Sequence, residues 1–200
     1  CANFGAPRQN WHTKNKAIPC CRRLKGNCLV LKIKKRGSAP NHMPNIKTNA
    51  VRTLDRAGIA YELREYSIDE SDLSAERAAG KLGMAPETVF KTLITRGDRT
   101  GPVIACLPAG TELDLRALGE ASGNKRVEMV PLKEVLDLTG YMRGAVTPLA
   151  LKKPFPVFLD ETAELWPIIG VSGGQRGLEI LLAPADLIGV TGATLANIAR

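Results

Sequence analysis

The sequence predicts an α+β domain built on a mixed β-sheet, and three observations carry that expectation. Strand candidates fall in pairs and triplets between helices, without the strict alternation that a doubly wound parallel sheet requires. The turn-rich stretch Arg96-Gly97-Asp98-Arg99-Thr100-Gly101 joins two apolar β-branched runs, the signature of an antiparallel hairpin with a longer loop. From Met43 to Arg200 the chain is long enough for one domain with a substantial core and too short for two of ordinary size.

The elements follow in order. Ile46, Ala50, Leu54 and Ala57 recur at helical spacing and Gly58 supplies a stop, so the domain opens with a helix. A strand follows over residues 60–66. Ser74 caps a second helix carrying Ala75, Ala78, Ala79 and Leu82 on its apolar side, ended by Gly83 before Pro86. The hairpin strands are Val89 to Ile94 and Pro102 to Leu107. Asp114 caps a helix that runs through Ala121 to Gly123, and Arg126 to Met129 reads as a short strand before a helix over Leu132 to Leu138. Strands near residues 156–159, 168–172 and 178–182 are separated by a brief helix at Thr162 to Trp166 and by the Gly173-Gly174 turn, and a helix is expected to close the domain.

Charge, cysteine and histidine are distributed unevenly. Residues 1–42 hold ten Lys or Arg and no acid, whereas the chain from Met43 onward holds 18 basic and 20 acidic residues, a net of −2. The leader also carries Cys1, Cys20, Cys21 and Cys28 with both histidines, His12 and His42, leaving Cys106 as the single thiol downstream. A disulfide framework for the main domain is excluded. The leader's apolar run, Cys28 to Leu31, is too short for a signal-peptide core or a membrane span, and its cysteines lack the C-x-x-C spacing of a zinc site. The expected organisation is a basic leader over residues 1–42, disordered or foreign to the fold, followed by a functional domain over residues 43–200. The alternative for the leader is a flexible basic arm that adds phosphate contacts to nucleic acid.

The available chemistry is narrow. No histidine follows Met43, so Ser-His-Asp and Cys-His arrangements are unavailable, and no phosphate-binding or dinucleotide-binding glycine motif is present. The candidates are a lysine, a few hydroxyls and two glycine loops. Lys91 sits within the apolar run Val89-Phe90-Lys91-Thr92-Leu93-Ile94, where alternation gives it one face with Val89 and Leu93. An amine placed there finds an anion or carbonyl partner, or else snorkels from an edge strand to solvent. The loop Thr139 to Pro148 contains Gly140 and Gly144, which permit close backbone approach to a ligand oxygen or simply connect a helix to a strand. Val171 to Glu179 gathers Ser172, Gly173, Gly174, Arg176 and Glu179, as an anion-binding nest or an ordinary hairpin turn. Cys106 lies in an apolar run with no activating neighbour and reads as a core thiol. Tyr61, Tyr66 and Phe90 pack in the sheet or stack on a terminal nucleobase.

Taken together and in this order, the motifs VFKTLI, ELDLRAL, KRVEM, TGYMRGAVTP, KKPFPVFLD, VSGGQRGLEI and LANIAR resemble the bacterial YbaK-type Cys-tRNA(Pro) deacylases over essentially residues 46–200, with no likeness in the leader. The resemblance implies a barrel-like mixed sheet flanked by helices, and a cytoplasmic trans-editing enzyme that removes cysteine from mischarged tRNA(Pro). It implies mischarged tRNA and prolyl-tRNA synthetase as partners, with no metal, cofactor or membrane. By motif, Lys91 corresponds to the family's essential lysine, Gly144 to a glycine of its substrate loop and Ser172 to its serine beside the glycines. Tyr66, Thr92, Gly173, Gly174 and Glu179 fall in its substrate-binding positions. Glu179 stands where the family commonly has aspartate, and Ala145 and Thr147 replace a glycine and a serine, which opens the alternative of another small acyl group such as alanine. The other alternative is a non-catalytic module that docks on the synthetase or on tRNA. The implied mechanism is attack by the substrate's own thiol on its ester, with the protein supplying position and charge.

Overall fold

The structure, a computed structural model, describes residues 46–200. The basic leader predicted over residues 1–42, with its four cysteines and two histidines, lies outside the described residues.

Among the described residues, five helices and eight strands follow in the order α1 (Asn49–Ala57), β1 (Glu62–Glu65), α2 (Ala75–Leu82), β2 (Val89–Gly97), β3 (Gly101–Pro108), α3 (Leu115–Ser122), β4 (Val127–Met129), α4 (Leu132–Thr139), β5 (Val157–Asp160), β6 (Ile169–Ser172), β7 (Leu178–Leu182), α5 (Pro184–Thr191) and β8 (Thr194–Ala196). Single 3₁₀ turns occupy Pro86–Thr88 and Glu161–Leu165. The strands form one mixed sheet in the order β1-β7-β6-β2-β3-β5-β8, with β4 added on β2, so the α+β expectation holds.

Local chemistry explains the helix ends. The Thr48 hydroxyl accepts the Val51 N–H, Ser74 accepts that of Arg77, and Asp114 accepts those of Arg116 and Ala117, each satisfying donors that the first helical turn leaves free. The β2–β3 hairpin pairs Gly97 with Gly101 across three loop residues. Gly97 is required there because a Cβ would occupy the space of the Asn124 amide, whose Oδ1 accepts the N–H groups of Arg99 and Thr100 at 2.9 and 3.1 Å.

Two apolar layers sandwich the sheet. Phe90, Ile94, Ile104, Cys106, Leu159, Val171, Ile180 and Leu182 pack with Leu54 of α1, Val135 of α4 and Leu187 of α5. The other face packs Val103, Ala105 and Leu107 with Leu118 of α3, and Val89 with Ala79 of α2. Cys106 is buried and unpaired, and burial pushes its thiol up to about 12, so it is the inert core group expected of it.

The chain ends differently from the sequence expectation. A helix was the predicted closing element, but α5 is followed by β8, which pairs in parallel with β5, and Leu113 bridges Ala199. Three residues are too few to show an alternating pattern, and the segment that follows β8 is tied down by Asp160. Its Oδ2 accepts the N–H groups of Ile198 and Ala199 at 3.0 and 2.9 Å, while Oδ1 accepts the Thr162 N–H and hydroxyl at 3.1 and 2.5 Å.

Candidate active site

The site follows from how β2 is paired. On one side β2 pairs with β3 along its whole length. On the other it pairs with β6 only at Val89 and Phe90 and with β4 only from Thr95 to Gly97. Backbone N–H and C=O groups of one residue point to the same side of a strand, and successive residues alternate. The Val89 carbonyl accepts from Ala109 on the β3 side and that of Ile94 accepts from Val130 on the β4 side, so Phe90, Thr92 and Ile94 face away from β3. Between β6 and β4, the N–H and C=O of Thr92 therefore meet no strand among the described residues.

A cavity of about 520 Å³ occupies this slot. Its wall includes the consecutive residues Phe90, Lys91, Thr92, Leu93 and Ile94, so it reaches both faces of β2 along the open edge. Six of the sequence-predicted site residues line it: Tyr66, Lys91, Thr92, Gly144, Ser172 and Glu179.

Strand register gathers three of them. Val89 lies beside Gly170, and one alternation further along the same parallel pair brings Lys91 to the level of Ser172, on the same face. Ser172 is directly opposite Glu179 on β7. A row of amine, hydroxyl and carboxyl groups thus crosses the sheet on the face covered by α2.

Lys91 is held, not splayed into water. Its Nζ donates to the Thr111 carbonyl at 2.5 Å and lies 3.6 Å from Glu76 Oε1, with the side chain 25 % exposed. The same Glu76 oxygen accepts the Gly110 N–H at 2.6 Å. The snorkelling alternative is thereby replaced by an anchored amine at the cavity wall.

The far end of the row is starved of partners. The Ser172 hydroxyl is buried without a hydrogen bond. Glu179 is 3 % exposed, and its carboxyl makes no hydrogen bond among the described residues. Burial pushes it up to about 8, so the proton stays on where a solvated glutamate would have lost it. Tyr66 is raised too, first by burial and then by the Glu179 charge. Gly170 makes the room, since a Cβ there would sit 3.2 Å from Glu179 Oε1. Unpartnered polar groups inside a cavity are costly, and they suit a ligand that brings both donors and acceptors.

The two glycine loops buttress each other behind this row. Gly144 adopts φ 81° and approaches Leu73 so closely that a Cβ would lie 3.3 Å from the leucine Cβ. Arg176 Nε donates to the Arg143 carbonyl at 2.9 Å, and the Tyr141 ring fills the space over Gly174. Gly173 and Gly174 were expected among the substrate contacts; neither lines the cavity. They pack against Leu178 and Tyr141 and shape the turn that carries Ser172. Ala145 and Thr147 are buried inside their loop and do not line the cavity either.

Sequence reasoning missed Glu76, the Thr111 carbonyl and the apolar wall from Met129, Leu132 and Val135. A carboxylate in the first turn of α2 reads as an ordinary favourable charge at a helix start, and no side-chain pattern announces a backbone carbonyl. Among the described residues no three His, Cys, Asp or Glu side chains gather as metal ligands, and no helix is long and apolar enough to cross a membrane.

Known proteins agree with this architecture. A protein of Enterococcus faecalis, provisionally named the Cys-tRNA(Pro)/Cys-tRNA(Cys) deacylase EbsC, is 45% identical over 152 residues, covering 76% of this chain and 93% of its own. A solved structure described as a provisional trans-editing enzyme for prolyl tRNA synthetase superposes with a TM-score of 0.67 at 25% identity, over 78% of this chain and 99% of that one. The hypothetical protein APE2540 shares the fold with a TM-score of 0.70 at 24% identity, over 76% of this chain and all of that one. The family described as the aminoacyl-tRNA editing domain matches residues 70–190, which span the open β2 edge, Lys91, both glycine loops and Glu179, and the chain belongs to that family.

Proposed function

We propose that this editing domain acts in trans as a deacylase that removes cysteine from mischarged tRNA(Pro), with the thiol of the bound cysteinyl group attacking its own ester carbonyl. The sulfur–carbon bond forms as the carbon–oxygen ester bond breaks, the thiol proton passes to the departing ribose oxygen, and the cysteinyl group leaves as a cyclic thiolactone. This reading needs no histidine, and none follows Met43. The observation that carries it is the anchored Lys91 amine at one end of a buried polar row whose other end, Ser172 and Glu179, has no partner. Lys91 and the backbone donors of the Gly144 loop face the developing negative charge, the task that a preorganised polar site performs best. Ser172 and Glu179 receive the amino group or the ribose. Prolyl-tRNA synthetase is the expected partner, because a pocket that separates small side chains by only about 1 to 3 kcal/mol leaves errors for a second site to remove.

A second reading, deacylation of another small acyl group such as alanine, rests on Glu179, which stands where the family commonly has aspartate and lines the cavity. One experiment separates them: turnover of Cys-, Ala-, Ser- and Pro-tRNA(Pro) by the native protein and by Lys91→Ala. The expected result is rapid loss of cysteine, retention of serine, and no turnover by a folded Lys91→Ala variant. Serine released as fast as cysteine would rule out sulfur attack, and full activity of the variant would remove Lys91 from the mechanism.

A further inference from the structure

Lysine carries three donors on a flexible stem, so a catalytic role demands that its nitrogen be fixed. Two structural features fix Lys91, and both depend on one side chain. Glu76 Oε1 lies 3.6 Å from Nζ, which holds the amine directly. That oxygen also accepts the Gly110 N–H at 2.6 Å, and Gly110 begins the turn whose next residue, Thr111, offers Nζ its carbonyl at 2.5 Å. The turn is braced on its other side by the Thr111 hydroxyl, which donates to the Pro108 carbonyl at 2.8 Å. Among the described residues the Thr111 carbonyl is the one acceptor within hydrogen-bonding distance of Nζ, with Glu76 an ion-pair partner at 3.6 Å, so the amine keeps N–H donors free at the cavity wall.

We propose that Glu76 is a positioning residue for Lys91: it pairs with the amine directly, and it locks the Gly110–Thr111 turn that supplies the amine's carbonyl partner, so that the free N–H donors of Lys91 are held at the cavity wall for the substrate ester. The proposal rests on Lys91 acting in the deacylation described above. Glu76 is exposed, at 43 %, so the 3.6 Å ion pair alone holds little; the anchoring comes from one oxygen that serves both the Gly110 N–H and the amine. Its carboxyl is held below the usual range, first by its own backbone N–H at the start of α2 and then by the Gly110 N–H and the Lys91 charge, which keeps it ionised at neutral pH.

Two substitutions separate the two contributions. Glu76→Gln keeps an oxygen for Gly110 and loses the charge; Glu76→Ala loses both. Deacylation of Cys-tRNA(Pro) is expected to lose roughly tenfold in kcat with Gln and roughly a hundredfold with Ala, with KM unchanged, because misplacement of a catalytic group lowers the chemical step and not ground-state binding. Thermal melting of both variants identifies any loss of fold. The Nζ resonance of Lys91 in ¹⁵N-lysine-labelled protein gives a reading that needs no substrate: its proton exchange should quicken in Gln and more so in Ala. An unchanged Nζ signal in both variants, or wild-type kcat in a folded Glu76→Ala protein, overturns the proposal. If native protein fails to cleave Cys-tRNA(Pro) while the Nζ signal still responds, the deacylase reading falls and Glu76 stands as the anchor of Lys91.

Discussion

At the scale of single residues, the site is defined by where polar groups have partners and where they do not. Lys91 is anchored by Glu76 and Thr111, while Ser172 and Glu179 wait without partners across the same sheet face. The cost is measurable in Glu179. Its carboxyl loses its proton near 4.5 in the unfolded chain and near 8 when folded. Below the lower value both states hold the proton and burial costs nothing in charge. As pH rises between the two values the unfolded chain releases a proton that the folded protein keeps, so stability falls across this window and levels off above it. A shift of this size corresponds to a loss on the order of 5 kcal/mol in full. Denaturant unfolding of the native protein and of Glu179→Gln from pH 4.5 to 8 should therefore show the native stability falling relative to the variant. A constant difference between the two across that range would place the glutamate proton elsewhere. The depressed carboxyls, Asp69, Asp72, Glu76, Asp98 and Asp114, act with opposite sign and at lower pH, so they leave this comparison untouched.

At the scale of elements, the slot between β6 and β4 makes the candidate site, and no sequence pattern announces it. The helix starts and stops at Ser74, Gly83, Asp114 and Gly123 were legible because each depends on a side chain or glycine within a few residues. The Arg96–Gly101 hairpin was legible for the same reason. Which strands flank β2, and how far each pairs with it, depends on residues about eighty positions apart, so the row from Lys91 to Glu179 came only from the family likeness. The strand β8 was hidden because its partners are distant in sequence: it pairs with β5, and the residues after it bond the backbone of residues 112–114 and the Asp160 side chain. Asp160 is 1 % exposed and binds two N–H groups beyond β8 as well as Thr162. Removing it strands those buried donors, each costing about 1–3 kcal/mol. Asp160→Ala is expected to destabilise the domain by roughly 3–5 kcal/mol and to raise hydrogen exchange selectively over residues 194–200. A melting curve and exchange pattern like those of the native protein would show that β8 is held by other contacts.

At the scale of the whole molecule, the charge balance sets how the tRNA is captured. From Met43 onward acids outnumber bases by two, and in the cavity only Lys91 and Arg143 are basic. Each phosphate neutralised adds about 0.7 to 0.9 to the slope of log affinity against log salt, so a chain beginning at Met43 is expected to bind tRNA weakly with a slope of about 1–2. If the ten basic residues before it act as an arm on nucleic acid, the 200-residue chain is expected to show a steeper slope. Editing that depends on the shape of the cavity is insensitive to this difference: the two chains should turn over Cys-tRNA(Pro) with the same kcat at saturating substrate, while KM falls for both when prolyl-tRNA synthetase is added. Filter binding across a salt series, with single-turnover deacylation in parallel, measures both quantities. Tight, steeply salt-dependent and tRNA(Pro)-selective binding by the chain from Met43 would show that the domain itself reads the tRNA body, and the synthetase would then be unnecessary for capture.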